Sequence, residues 1–112
     1  MDGDELTRLE EAGTSPIPWL RLLARRIIAL TAMRAEMDAG ESVEVVMKRH
    51  RVFFREERAT ARALRRWSAP LLARALTNVR QAERRTMGGS GAGGVLAAQA
   101  ALDLARALER RG

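Results

Sequence analysis

The chain contains no cysteine, a single histidine and few aromatic residues. Without cysteine it has no disulfides, no thiolate chemistry and no cysteine-ligated zinc, which is compatible with a reducing cytoplasm. His50 has no second imidazole or thiol to complete a metal site, and a histidine-based triad lacks parts as well. We therefore predict that His50 is a surface histidine and that the chain holds no metal.

Long apolar runs are also missing from the sequence. No run approaches the roughly 20 residues that a membrane-spanning helix needs. The acidic start, with Asp2, Asp4 and Glu5, lacks the basic residues and the apolar centre of a signal peptide. No segment alternates apolar and polar residues as a half-buried strand does. These absences predict an all-α, cytoplasmic protein with no membrane partner.

Arginine, by contrast, is abundant. Of the 20 basic residues only Lys48 is lysine, and with 14 acidic residues the net charge is +6 and the pI about 11.4. A basic balance favours acidic partners such as nucleic acid, an acidic protein surface or anionic lipid. The alternative is that a high content of alanine, arginine and glycine reflects genomic base composition. Charge alone leaves both interpretations open.

Length and hydrophobic periodicity predict one helical domain. The chain has 112 residues, 46% hydrophobic and 4% aromatic, so a modest core of Leu, Ile, Ala and Met is expected. Apolar residues recur at helical spacing in several segments. These segments are residues 4–12, 17–38, 43–47, 52–68, 71–82 and 95–111. The predicted fold is a compact all-α bundle of about five helices.

Local signals divide these segments. Ser42 and Ser68 are predicted N-caps, and a hydroxyl cap is also expected at Thr14 or Ser15, before Pro16. The glycine-rich residues 88–94 predict a flexible loop. The helix at 4–12 is expected to be frayed, and its abrupt start suggests a C-terminal fragment of a longer subunit. Predicted core faces include Ile28, Leu71, Ala100 and Leu104.

Residues 52–68 carry the clearest pattern in the sequence. On a helical wheel they form one helix with an apolar side and an arginine side. The apolar side comprises Phe53, Thr60, Leu64 and Trp67, and the other side comprises Arg55, Arg58, Arg62, Arg65 and Arg66. With Trp19 of the central helix, the core anchors are predicted to be Phe53, Leu64 and Trp67. Phe54 points elsewhere than Phe53 and marks either a partner contact or a helix start that bends into the bundle. The five arginines are candidate partner contacts for an acidic protein surface or a phosphate backbone, and the alternative is that they are only solvated.

Motifs that carry catalysis or bind cofactors are incomplete. Gly89, Gly91 and Gly94 match G-x-G-x-x-G, but a helix and not a strand is predicted before them, and no Walker A lysine is present. The adjacent acidic residues Glu56 and Glu57 point to different sides of a helix and are expected to be solvated. The sequence therefore predicts no enzyme activity, no cofactor and no small-molecule substrate.

Several short motifs resemble a known family in their order and spacing. They are GTSPI at 13–17 opening a long helix, GES at 40–42, MK at 47–48, VFF at 52–54 and LRRWS at 64–68. Together they resemble the C-terminal domain of the delta subunit of bacterial DNA polymerase III, in its alphaproteobacterial form. The similarity extends over residues 13–85, and more loosely over the last helix.

The resemblance implies a role in DNA replication. The delta subunit belongs to the clamp loader, which places the sliding clamp on primed DNA, and its C-terminal domain is the collar that binds the other loader subunits. The implied function is therefore a non-catalytic oligomerisation domain, with DNA contacted only indirectly or weakly. The alternative interpretation is a small basic helical module that contacts nucleic-acid phosphates through its arginine-rich helix.

Overall fold

The structure, a computed structural model, describes residues 16–88 and 92–109. Within these ranges the chain forms five α-helices, one 3₁₀ turn and no strand. In chain order they are α1 (Ile17–Asp38), α2 (Val43–Arg49), the 3₁₀ turn (Phe54–Glu56), α3 (Glu57–Arg66), α4 (Ala69–Gly88) and α5 (Ala92–Glu109). The predicted all-α bundle is confirmed. The predicted helix at 4–12 and the caps Thr14 and Ser15 lie outside the described residues.

α1 occupies the range that its apolar pattern predicts. Pro18 lies in the first turn, where a missing N–H costs no helical hydrogen bond. After the helix, Gly40 adopts a φ of +110°. Its N–H donates to the Met37 carbonyl at 2.9 Å, and the Glu41 N–H donates to the Glu36 carbonyl at 3.1 Å. This pair of bonds is a Schellman motif, in which glycine takes the left-handed position without strain.

Replacing Gly40 by alanine is expected to destabilise the chain by about 1–2 kcal/mol. No atom lies within 4 Å of an added Cβ, so the cost comes from the left-handed backbone alone. Chemical denaturation measures the change. Gly40→Asn is the control, because asparagine tolerates the left-handed position better than alanine and should cost less. A Gly40→Ala variant as stable as the wild type would contradict the prediction.

α2 is a short helix with a capped start. The hydroxyl of Ser42 accepts a hydrogen bond from the Val45 N–H at 3.2 Å, as predicted for an N-cap. At its other end Arg51 takes the left-handed position with a φ of 55°. The Val52 N–H then donates to the Met47 carbonyl at 3.0 Å, which closes a second Schellman motif. The chain leaves this turn toward α3.

The apolar faces of the helices meet in one core. α4 packs along both α1 and α5, while α2 and α3 pack against α1 and against each other. The largest fully buried apolar side chains are Leu20, Ile27, Leu30, Val46, Leu64, Leu72 and Val79. They are all aliphatic, as the low aromatic content predicts. Removal of this apolar surface from water is the main favourable term in folding.

Some predicted core faces are rotated from the observed ones. Ile28 and Leu71 are both 44% exposed, although helical wheels place them on the apolar side. In α5 Leu102 and Ala105 are buried, whereas Ala100 is exposed. The apolar side of each of these helices spans a wide arc of the helical wheel. The sequence of one helix therefore leaves open which part of that arc faces the neighbouring helices. That choice is made by packing between helices, which a single segment does not encode.

Helix extends into the glycine-rich stretch that was predicted to be a loop. α4 extends through Gly88 and α5 begins at Ala92, so helix covers four of the residues assigned to the loop at 88–94. Residues 89–91 lie outside the described ranges. Glycine lowers helix stability by about 1 kcal/mol relative to alanine, but it does not forbid helical backbone angles. The last helix, α5, therefore extends upstream from the segment with helical spacing and includes Gly93 and Gly94.

Candidate partner-binding surface

α3 is preceded by the aromatic turn, which consists of Phe53, Phe54, Arg55 and Glu56. Phe53 has extended backbone angles (φ −62°, ψ 137°), and its carbonyl accepts a hydrogen bond from the Glu56 N–H at 2.8 Å. The chain enters the helix through this 3₁₀ turn, so regular α-helix begins at Glu57. The helix predicted over residues 52–68 is therefore too long at its start.

Phe53 is not a core anchor, and that prediction is wrong. Its side chain is 54% exposed, because the residue precedes the helix and its direction does not follow the helical wheel. Val52 is half-buried and packs against the core instead. Phe54 is 67% exposed, and its ring centroid lies 4.8 Å from that of Phe53. Two aromatic rings therefore lie side by side on the surface.

The arginine face consists of Arg55, Arg58, Arg62, Arg65 and Arg66. Arg62 is half-buried and the other four are exposed. Arg55 places its guanidinium carbon 5.6 Å from the centre of the Phe54 ring, within the range of a cation–π contact. In the described part of the chain, no carboxylate oxygen lies within 4.0 Å of any of the five. These guanidinium groups remain available to carboxylates or phosphates.

Two arginines of α1 fix the position of α3. Arg26 Nη2 donates to Oγ1 of the buried Thr60 at 3.2 Å. Arg34 Nη1 donates to the Leu64 carbonyl at 2.5 Å. Since the last four carbonyls of a helix have no partner within it, Arg34 satisfies a group that α3 leaves unpaired. These contacts set the direction in which the arginine face points.

The turn between α2 and α3 is held to α1 by a polar cluster around Glu36. Its two carboxylate oxygens pair separately with Arg49 and with His50, and Arg49 also lies 3.6 Å from Glu41. Hydrogen bonding from His50 and then from Arg49 holds the pKa of Glu36 below its ordinary value of 4.5. The same contact with Glu36 raises the pKa of Arg49.

Replacing Glu36 by glutamine is expected to remove a pH-dependent part of the stability. Because the pKa of Glu36 is lower in the folded chain, its ionised form stabilises the fold above pH 4.5. That contribution is lost as the pH falls below 4.5, through the pKa of the folded state. Chemical denaturation from pH 7 to pH 3 should therefore show wild type and variant converging at acid pH. Glu44→Gln is the control, and a gap independent of pH would contradict the assignment.

The other predicted core anchors lie in or against the core. Trp19 is 2% exposed and Leu64 is fully buried, whereas Trp67 is half-buried. Trp67 follows the last residue of α3 and has extended backbone angles. Its backbone N–H donates to the Ala63 carbonyl at 2.8 Å. In the described structure the indole nitrogens of both tryptophans are buried without a hydrogen-bond partner.

An apolar groove lies beside the aromatic turn. It has a volume of about 420 Å³ and is lined by Trp19, Leu22, Leu23, Arg26, Glu56, Ala59, Ala105 and Leu108. The first turns of α1 form one wall, and the aromatic turn, α3 and α5 supply the rest. Leu22 is 50% exposed, so the groove presents apolar surface to solvent. A second cleft of about 240 Å³ lies between α4 and α5.

The groove and the α1 contacts were not predicted from the sequence. Arg26 and Arg34 bind residues more than 25 positions away, and no local pattern marks such pairs.

In residues 16–88 and 92–109, no three His, Cys, Asp or Glu side chains are grouped to hold a metal ion. None of the helices described there combines the length and hydropathy needed to cross a bilayer.

Comparison with known proteins gives no match to a protein-family model, to a curated protein or to a solved structure.

Proposed function

We propose that this chain is a non-catalytic assembly module that binds other protein subunits through the aromatic turn and the arginine face. The observation that carries the proposal is the exposure of Phe53 and Phe54 directly before a helix whose arginines have no carboxylate partner in the described structure. Aromatic residues and arginine are the types enriched at protein interfaces. Exposed aromatic rings are also the usual anchors of binding energy.

The charges on this surface indicate the kind of partner. Four exposed guanidinium groups favour a partner surface rich in Asp and Glu, because opposite charges steer association and align the two surfaces. Glu56 and Glu57 lie in the same region and are exposed. Their carboxylates can pair with basic side chains of the partner. The proposed partner is therefore an acidic protein surface with an apolar patch for the two phenylalanines.

The particular assembly we propose is the bacterial clamp loader. The support for it is the order and spacing of the sequence motifs at residues 13–17, 40–42, 47–48, 52–54 and 64–68, which resemble the collar domain of the DNA polymerase III delta subunit. The partners would then be the collar domains of the other loader subunits. The module would help assemble the machine that places the sliding clamp on primed DNA.

Association with the loader subunits tests this function. The reading frame that contains this chain is expressed whole and mixed with the remaining clamp-loader subunits from the same organism. Co-purification on a tag carried by one of those subunits is expected, with loss of association when residues 17–109 are deleted. No association of the intact protein, or the same association after the deletion, would contradict the proposal.

Binding to a phosphate backbone is the second candidate function. The observation in its favour is that the arginine face lacks carboxylate partners among the described residues. Contact with several phosphates predicts that log K falls with log salt at a slope of about −0.9 per phosphate on duplex DNA. A salt titration on duplex and primed DNA measures that slope. Undetectable binding at low salt would exclude this function and leave the first unaffected.

A further inference from the structure

The apolar groove beside the aromatic turn presents aliphatic surface that a partner can cover. Leu23, Ala105 and Leu108 line it as buried side chains, and Leu22 on its α1 wall is 50% exposed. Contact with aliphatic side chains of a partner would remove the exposed half of Leu22 from water, which is favourable. The groove is therefore a candidate binding site for aliphatic residues.

Two hydrogen-bond donors in the lining of the groove have capacity for an acidic group. Trp19 is 2% exposed, and its indole N–H is buried without an acceptor among the described residues. Arg26 is half-buried and donates to the Thr60 hydroxyl, but no carboxylate oxygen of the described residues lies within 4.0 Å of it. Because a guanidinium group carries five N–H donors, Arg26 can also bind a carboxylate. An occupant with a carboxylate beside aliphatic side chains therefore complements the groove.

The groove is continuous with the surface proposed for the partner subunit. Glu56 belongs to the aromatic turn and also lines the groove, and Ala59 in the first turn of α3 lines it as well. A partner that contacts the aromatic turn therefore reaches the groove without a separate docking step. Apolar grooves between helices commonly bind an amphipathic helix, whose apolar face enters the groove.

We propose that the groove binds an amphipathic helix of the partner subunit. The aliphatic side of that helix packs against Leu22, and an acidic residue next to that side pairs with Arg26. The inference rests on the assembly function proposed above, and it adds the element that the partner supplies and the chemistry of its side chains.

Titration of the intact protein against the remaining clamp-loader subunits tests the groove. Leu22→Asp is expected to weaken association at least tenfold, because a carboxylate is costly against aliphatic side chains. Leu71→Asp is the matched control, because Leu71 is 44% exposed on α4 and does not line the groove. It should bind as tightly as the wild type. Circular dichroism and chemical denaturation check that both variants fold.

A second pair of variants tests the charge of the occupant. Ala59→Glu and Ala59→Gln place side chains of nearly equal size in the groove and differ in charge. Ala59→Glu should bind about fivefold more weakly than Ala59→Gln, because like charges repel an acidic helix. The difference should shrink at high salt, where exposed charges are screened. Equal affinities of the two variants would overturn the proposal.

The titrations separate failure of this inference from failure of the assembly function. If the wild type associates and Leu22→Asp binds as tightly as Leu71→Asp, the groove proposal is overturned and the assembly function stands. If the wild type does not associate, both are overturned. Sedimentation of the protein alone adds a third outcome. A dimer that Leu22→Asp dissociates would assign the groove to a second copy of the chain and would also overturn the proposal.

Discussion

Replacing Leu64 by alanine should lower the free energy of unfolding by about 3 kcal/mol, within the 2–5 kcal/mol typical of buried leucine. Leu64 is fully buried in α3, a helix of only 10 residues that packs against α1, α2 and α5. A helix this short is marginal alone, so its packing decides whether it forms. The truncation leaves a cavity that α3 fills only partly by moving.

Chemical denaturation with extrapolation to water measures the change, and a thermal scan should show a melting temperature lower by roughly 15 °C. The hydrogen bond from Arg34 goes to the Leu64 carbonyl, which alanine keeps, so the loss reports side-chain packing. Leu71→Ala is the control, because Leu71 is 44% exposed and should cost less than 1 kcal/mol. Equal losses in the two variants would contradict the observed packing of α3 and α4.

This pair of leucines also shows how far the sequence predicts the fold. Helical wheels place both Leu64 and Leu71 on an apolar side. The positions of α1 and α2, the Ser42 and Ser68 caps and the absence of strands among the described residues agree with local patterns. These features depend on residues within one turn of each other, so a single segment encodes them. Which apolar residues become buried depends on how helices distant in sequence pack.

In the candidate surface, too, some features are encoded by the local sequence and others depend on contacts between distant segments. The five arginines are recognisable from their spacing, and four of them are exposed. The exposure of Phe53 was missed, because it depends on where the 3₁₀ turn begins and on Val52 taking its place against the core. A left-handed Arg51 ends α2 shortly before the 3₁₀ turn, and arginine is not a residue that marks a left-handed position. The groove was missed because it forms only where α1, α3 and α5 meet.

Replacing Phe54 by alanine should weaken association with the partner subunits by about 30-fold, or about 2 kcal/mol, the loss typical of an interface hot spot. Phe54 is 67% exposed and makes no core contact to lose, so folding stability should stay within about 0.5 kcal/mol of the wild type. The ring also holds Arg55 by a cation–π contact at 5.6 Å. Truncation therefore removes the anchor and loosens one cation of the arginine face.

Titration of the intact protein against the partner subunits, by calorimetry or surface plasmon resonance, measures this loss. Met87→Ala is a matched control, because Met87 is an apolar side chain of the same exposure, 66%, on α4. Arg58→Glu should add a loss that shrinks at high salt, because exposed charges are screened there, whereas Arg74→Glu on α4 should not. If Phe54→Ala binds as tightly as Met87→Ala, the aromatic turn is not the interface and the exposed phenylalanines have another role.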